Sequence, residues 1–135
     1  MEITGYTIQD RGYLFKDPDS DTRYWQGSST CPQYIGFIFD TPHILTGINL
    51  TAHRNALGPK HFKVVGSNNC ANWTTMVEVA DSGFPNNYQP GASKYFSIPK
   101  ATRVAYLCIG LNISSVIGAD FPPEIKSIVL WEDAK

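Results

Sequence analysis

Short runs that alternate apolar and polar side chains recur along the chain, and no segment of helical length carries a sustained 3.6-residue apolar period. In the segment 34–40, Ile35, Phe37 and Phe39 occupy every second position, which places them on one face of a strand. The segment 44–53 repeats this pattern. A short strand is expected before residue 34, and the seven predicted runs after it are 34–40, 44–53, 61–67, 73–80, 94–99, 103–113 and 124–131.

Turn-forming residues separate these runs. Gly58-Pro59, the Ser-Asn-Asn sequence at 67–69 and the Phe-Pro-Pro sequence at 121–123 are typical of tight connections. Many short strands separated by such turns predict an all-β protein, a sandwich or jelly roll whose two sheets pack face to face. A length of 135 residues with 42% hydrophobic side chains fits one domain over residues 1–135.

Charge and hydropathy exclude several classes of partner. The net charge is −1 and the basic residues are scattered, so the sequence shows no cluster of positive charge that would bind nucleic acid. No window approaches 18 consecutive apolar residues, and we expect neither a membrane span nor insertion of apolar loops into a bilayer. The polar, acidic N-terminal stretch does not resemble a signal peptide.

The three cysteines show no metal-binding spacing. Cys31, Cys70 and Cys108 form an odd set without a C-x-x-C pair, which argues against a zinc site or a full disulfide framework. We expect mostly free thiols, with a bridge between Cys31 and Cys70 as the alternative. Cys108 lies in an apolar run and is interpreted as a small buried side chain.

Several segments match a known family in order. The segments 45–50, 58–68 and 72–76 (LTGINL, GPKHFKVVGSN and NWTTM) resemble the discoidin-like, coagulation factor V/VIII type C family, and the closing strand 124–131 is similar to the end of that family's pattern. The resemblance implies an antiparallel jelly roll. Because no cysteine lies near either end of the sequence, the resemblance is nearer to galactose-binding-like modules of bacteria and viruses, including family-32 carbohydrate-binding modules.

An acidic segment near the N-terminus suggests a metal site. Asp17, Asp19 and Asp21 alternate beside Thr22, and oxygen ligands on a tight turn suit Ca²⁺. The spacing does not fit an EF-hand. The resemblance implies that a structural calcium ion would join Asp17, Asp19 and Thr22 to Glu124 at the start of the last strand. The alternative is a solvated Asp/Ser turn without metal.

The predicted binding site lies in loops at one end of the sandwich. His53, Arg54 and Asn55 offer the donors and acceptors that sugar hydroxyls require, and the resembled family uses this region for ligand contact. Tyr88 is the predicted aromatic platform, with Phe84 as the substitute. The alternatives are an ordinary polar strand end and a loop aromatic packed onto its own turn. We assign Trp25, Trp73 and Trp131 to packing.

These features predict a binding protein rather than an enzyme. The sequence contains no G-x-S-x-G, HExxH or phosphate-loop motif, and no pair of carboxylates for glycoside hydrolysis is indicated. We therefore expect a non-catalytic carbohydrate-binding module for a terminal galactose-type sugar or hexosamine. Its partners would be a glycan or glycoconjugate and other domains of a larger extracellular, cell-surface or virion-associated protein, with a role in cell adhesion. The alternative is a structural, protein-interaction adaptor without sugar binding.

Overall fold

The structure is a computed structural model that describes residues 1–8, 24–27, 31–118 and 121–133. These residues form strands and two short 3-10 helices, Asn55–Leu57 and Lys100–Thr102. No helix among them is both long and apolar enough to span a membrane. The strands are β1 (Tyr6–Ile8), β2 (Trp25–Gln26), β3 (Gln33–Ile44), β4 (Gly47–Ala52), β5 (Pro59–Ser67), β6 (Thr74–Val79), β7 (Ser93–Ser97), β8 (Ala105–Val116) and β9 (Glu124–Trp131).

Two antiparallel sheets make up the fold. One sheet has the strand order β1-β3-β8-β5-β6 and the other the order β2-β9-β4-β7. Neighbouring strands pair antiparallel throughout both sheets. The prediction of an all-β antiparallel sandwich is confirmed.

The core lies between the sheets and follows the alternation seen in the sequence. Phe37 of β3 and Leu50 of β4 are fully buried, and their neighbours at every second position are buried with them. Full burial of one such side chain stabilises the fold by roughly 1.5–3 kcal/mol. The faces of β4 and β9 that point away from this core are therefore left to present polar side chains.

The tryptophans divide between the core and the surface. Trp25 is fully buried, which confirms its assignment to packing. Trp73 is 36% exposed, and Trp131 is half-buried on the outer face of β9. Trp73 and Trp131, which were also assigned to packing, make their contacts at the surface, Trp73 with Tyr34 and Trp131 with Asn49. Trp131 pairs with Gly47 at the end of the sheet, and Trp73 precedes the edge strand β6, so one face of each ring meets solvent.

The cysteine prediction was wrong, because Cys70 and Cys108 form a disulfide. Ser67 of β5 pairs with Cys108 of β8, and the loop that follows Ser67 turns back over β8. The two Cα atoms lie 5.7 Å apart, within the usual range for a bridge. Cys31 is half-buried and lies outside this disulfide.

Candidate functional site

A groove of about 910 Å³ runs across the outer face of the four-stranded sheet and up to the loops at one end of it. Its floor consists of side chains at the alternate positions of β4 and β9 that point away from the core, such as Asn49 and Thr51. Its described lining residues are Asn49, Thr51, His53, Arg54, Tyr88, Pro90, Gly91, Ser93, Lys126, Ser127, Val129 and Trp131.

His53 is held at the loop end of the groove by two contacts. Its ring stacks on Tyr24, with the ring centroids 3.8 Å apart and the planes 9° from parallel. Its Nδ1 lies 2.8 Å from Oε1 of Glu124, whose side chain is only 7% exposed. Because Nδ1 is engaged with Glu124, Nε2 is the ring nitrogen that His53 can offer to a ligand. Glu124 thus orients His53 in the groove wall.

Arg54 follows directly and is far more exposed. Its Nε lies 3.8 Å from the same oxygen of Glu124, while 46% of its side chain is accessible to solvent. The guanidinium is planar and carries five N–H donors, so anchoring on the Nε side leaves donors available for hydroxyl or carboxylate oxygens. Arg54 therefore keeps accessible hydrogen-bond donors at this end of the groove.

Asn55 is buried and holds the neighbouring loop in place. Its Nδ2 donates to Asn87 Oδ1 at 3.0 Å and lies 3.5 Å from the carbonyl of Pro90, and its Oδ1 accepts from the Ala92 N–H at 2.9 Å. With 5% of its surface exposed, Asn55 has no face left for a sugar, contrary to its predicted role as a ligand contact. It acts as a positioning residue for the loop that carries Tyr88.

Tyr88 and Phe84 have opposite environments. Tyr88 is 59% exposed and lines the groove, as expected of an aromatic platform. Phe84 is 4% exposed and packs in the core near Gly58, so the structure contradicts its prediction as a substitute platform. The physical reason is the path of the loop, which returns so closely to β4 that a Cβ atom at Gly91 would overlap the backbone of Ala52.

The predicted calcium ligands are only partly within the described residues. Asp17, Asp19 and Thr22 lie outside them. Glu124 is described, and its Oε1 faces the nitrogen groups of His53 and Arg54. Within the described ranges no group of three His, Cys, Asp or Glu side chains is placed to hold a metal ion. The calcium site stays a prediction.

The sequence pattern led us to predict only the loop end of the groove and not the part that lies on the sheet. Asn49, Thr51 and Ser93 point outward, and Thr51 Oγ1 donates to Ser93 Oγ at 3.0 Å across the β4–β7 pair. The sequence does contain a signal for this surface, because Asn49 and Thr51 alternate with the buried residues of β4 and so share its outer face. Two polar side chains capable of hydrogen bonding on one strand face indicate a surface that can bind a polar ligand.

Comparison with protein families identifies one match that covers most of the chain. The model of the F5/8 type C domain matches residues 4–115. Among curated proteins, none matches this sequence significantly.

Several solved structures with a similar fold are carbohydrate-binding modules. The family 32 module from Streptococcus pneumoniae EndoD has a TM-score of 0.72 at 12% identity, with 98% of this chain and 100% of that chain covered. The family 32 module of Clostridium perfringens NanJ, in complex with galactose, has a TM-score of 0.68 at 14% identity, with 93% and 92% covered. The family 32 module of AlyQ, in complex with 4,5-unsaturated mannuronic acid, has a TM-score of 0.68 at 16% identity, with 98% and 99% covered.

Proposed function

Since this chain belongs to the F5/8 type C domain family and has the fold of carbohydrate-binding modules, we propose that it is a non-catalytic module that binds a terminal galactose-type sugar or hexosamine. The observation that carries the proposal is the convergence of exposed Arg54, exposed Tyr88 and anchored His53 at the loop end of one groove. A sugar needs directional donors beside an apolar face, and this arrangement supplies both.

The three side chains have separate roles in the proposal. Arg54 donates to sugar hydroxyl oxygens through its guanidinium, and Nε2 of His53 adds a further polar contact. Tyr88 presents its ring to the C–H face of the pyranose. A shallow site with few desolvated contacts gives weak affinity, roughly millimolar to micromolar, which multivalent display raises.

The described side chains of the groove support the proposal of binding without catalysis. Glycoside hydrolysis requires two carboxyl groups that flank the scissile bond. None of the described lining residues is an aspartate or glutamate, and Glu124 lies behind His53 with 7% of its side chain exposed. The described lining therefore supports a groove that holds a glycan without cleaving it.

The proposal has two further parts, a structural calcium ion and the larger protein to which the module would belong. A structural Ca²⁺ would bind Asp17, Asp19, Thr22 and Glu124, and the module would belong to a larger extracellular, cell-surface or virion-associated protein. Calcium would stabilise the fold by ligand linkage, so a calcium-dependent rise in melting temperature that is lost in Asp19→Ala tests this part separately.

The test of sugar binding is a titration followed by NMR chemical shifts, using galactose, N-acetylgalactosamine and glucosamine at millimolar concentrations. Arg54→Ala is expected to weaken the observed binding more than tenfold and Tyr88→Ala about tenfold, since each removes one recognition element. Lys100→Ala serves as the matched control, because Lys100 is an exposed cation on the second 3-10 helix and does not line the groove. Equal affinity in Arg54→Ala and Lys100→Ala would refute this site.

The alternative function is an adaptor domain that binds protein and not sugar. Trp73 favours it, because this ring is exposed beside Tyr34 on the outer face of the five-stranded sheet. If no sugar shifts any resonance in the NMR titration, the adaptor function replaces the carbohydrate-binding proposal.

A further inference from the structure

The groove does not end at the loops that carry Arg54 and Tyr88. It continues along β4 and β9 as far as Trp131, which pairs with Gly47 at the opposite end of β4. From Gly47 to Thr51 alone, four residue steps in an antiparallel strand span about 14 Å. The surface between Arg54 and Trp131 is therefore much longer than one pyranose ring.

The middle of the groove is lined by oriented polar groups. Asn49 Oδ1 accepts a hydrogen bond from Trp131 Nε1 at 2.7 Å, which fixes the amide and directs its NH₂ donors away from the indole. The hydroxyls of Thr51 and Ser93 are bonded to each other at 3.0 Å and each keeps acceptor capacity. Donors and acceptors at this spacing suit a chain of hydroxyl-bearing rings.

The far end of the groove is aromatic. Trp131 is half-buried, and its bond to Asn49 holds the indole against the sheet. Tyr95 of β7 is 54% exposed, and its ring lies over Gly47, where a Cβ atom would overlap it. Trp131 lines the groove at the end opposite Tyr88, whereas Tyr95 lies near Gly47 outside the described lining, so one aromatic lining residue lies at each end of a polar floor.

We propose that the groove is an extended binding site for a linear oligosaccharide. The terminal sugar occupies the end formed by Arg54 and Tyr88, and the following units lie along β4 and β9 with the last one against Trp131. This inference rests on the proposed function, because it assigns the first unit to that site. It adds that affinity depends on the length of the glycan and not only on its terminal residue.

The test compares affinities for ligands of increasing length. Isothermal titration calorimetry is carried out with β-1,4-linked galacto-oligosaccharides and N-acetylglucosamine oligomers, each from the monosaccharide to the tetrasaccharide. For the series that binds, the Kd is expected to fall at least tenfold from one unit to four. A gain of this size exceeds the statistical advantage of presenting several identical units.

Variants on the outer faces of the two sheets show which residues produce the increase in affinity with glycan length. Trp131→Ala is expected to bring the ratio of monosaccharide Kd to tetrasaccharide Kd close to one, because the last unit loses its stacking surface. Asn49→Ala, which keeps the indole, is expected to lower this ratio at least threefold, so the test does not depend on the folding of one variant. Trp73→Ala removes an exposed tryptophan from the opposite sheet and is expected to leave the ratio as in the wild type.

The outcomes separate the two proposals. Equal Kd values for one and four units, with Arg54-dependent binding retained, would overturn the extended site and leave the proposed function intact. A length-dependent gain that survives in both Trp131→Ala and Asn49→Ala would also overturn it, since the gain would then arise elsewhere. Absence of binding at every length would refute the proposed function and the extended site together.

Discussion

The outer faces of the two sheets both carry tryptophan and tyrosine, yet they use these rings differently. On the four-stranded sheet, Trp131 lies beside Asn49 on a floor lined with hydroxyl and amide groups. On the five-stranded sheet, Trp73 meets Tyr34 edge to face, with ring centroids 6.0 Å apart, next to the disulfide of Cys70. On the first face polar side chains that line a groove surround the ring, whereas on the second face the ring packs against another ring of the same sheet.

The loop behind Trp73 explains this difference. Asn69 Oδ1 accepts bonds from the N–H groups of Ala71 and Asn72 at 2.9 and 2.8 Å, and Asn68 Oδ1 accepts from the Leu107 N–H at 3.1 Å. The Asn69 bonds fix the shape of the loop, and the Asn68–Leu107 bond and the disulfide tie it to β8. The comparison teaches that the two faces differ in what surrounds their exposed rings: polar side chains that line a groove on one sheet, and a disulfide-linked loop on the other.

Loss of the disulfide gives the largest expected effect and acts on stability alone. The bridge joins residues 38 positions apart, and closing a loop of that length stabilises the folded state by about 4 kcal/mol in the chain-entropy model. The double variant Cys70→Ser/Cys108→Ser should lose about that much in urea unfolding, with sugar affinity within twofold of wild type at low temperature. Cys31→Ser is the matched control. A large loss of affinity in the folded double variant would contradict the division between the two faces.

Asn55→Ala should affect both stability and binding. The substitution leaves the Ala92 N–H without its partner and removes one of the two hydrogen bonds that Asn87 Oδ1 accepts, at a cost of about 2 kcal/mol. Because the same bonds hold the loop that carries Tyr88, we expect weaker sugar binding at temperatures where the variant is folded. Unfolding curves and NMR titration measure the two effects, and unchanged affinity would show that Asn55 does not position the loop.

A matched pair of aromatic deletions tests the comparison directly. Tyr88→Ala should weaken sugar binding about tenfold, equivalent to about 1.4 kcal/mol, with little change in melting temperature because the ring is mostly exposed. Trp73→Ala should lower the unfolding free energy by about 1 kcal/mol through loss of its contact with Tyr34 and leave affinity unchanged. If Trp73→Ala weakened sugar binding and Tyr88→Ala did not, the binding face would be that of the five-stranded sheet.

The smallest expected effect is pH-dependent and lies at the edge of the five-stranded sheet. A hydrogen bond from His61 lowers the pKa of Glu78 below its usual value. Because the pKa of Glu78 is lower in the folded state, its ionised carboxylate stabilises the fold at pH values above the usual glutamate pKa. This stabilisation is lost as the pH falls through the lowered pKa. The melting temperature of the wild type should therefore be slightly higher than that of Glu78→Gln at pH 6, and the difference should shrink as the pH falls below the usual glutamate range.

The strands could be predicted because alternation encodes burial directly. The last strand has the predicted bounds, Glu124–Trp131, and the inward residues of β4 are the expected ones. β3 is longer than predicted, since its pairing with β8 continues to Ile44 beyond a register shift after Ile38. The alternation of side chains along one strand does not reveal where its pairing with a neighbouring strand shifts.

The site was predictable only in part, because burial in a loop depends on where the chain returns. Arg54 and Tyr88 line the groove as expected. Asn55 and Phe84 are equally plausible ligand contacts by residue type, yet the return of residues 85–92 toward β4 buries both. The Cys70–Cys108 bridge depends in the same way on a loop crossing β8, which spacing along the chain does not reveal.

The separation of faces on β4 has a practical consequence for protein engineering. Asn49 and Thr51 point into the groove, while Ile48 and Leu50 between them anchor the sandwich. Randomising the outward positions of β4 and β9 would leave the anchoring side chains untouched, so a library at these sites would sample new ligand preferences on one constant scaffold.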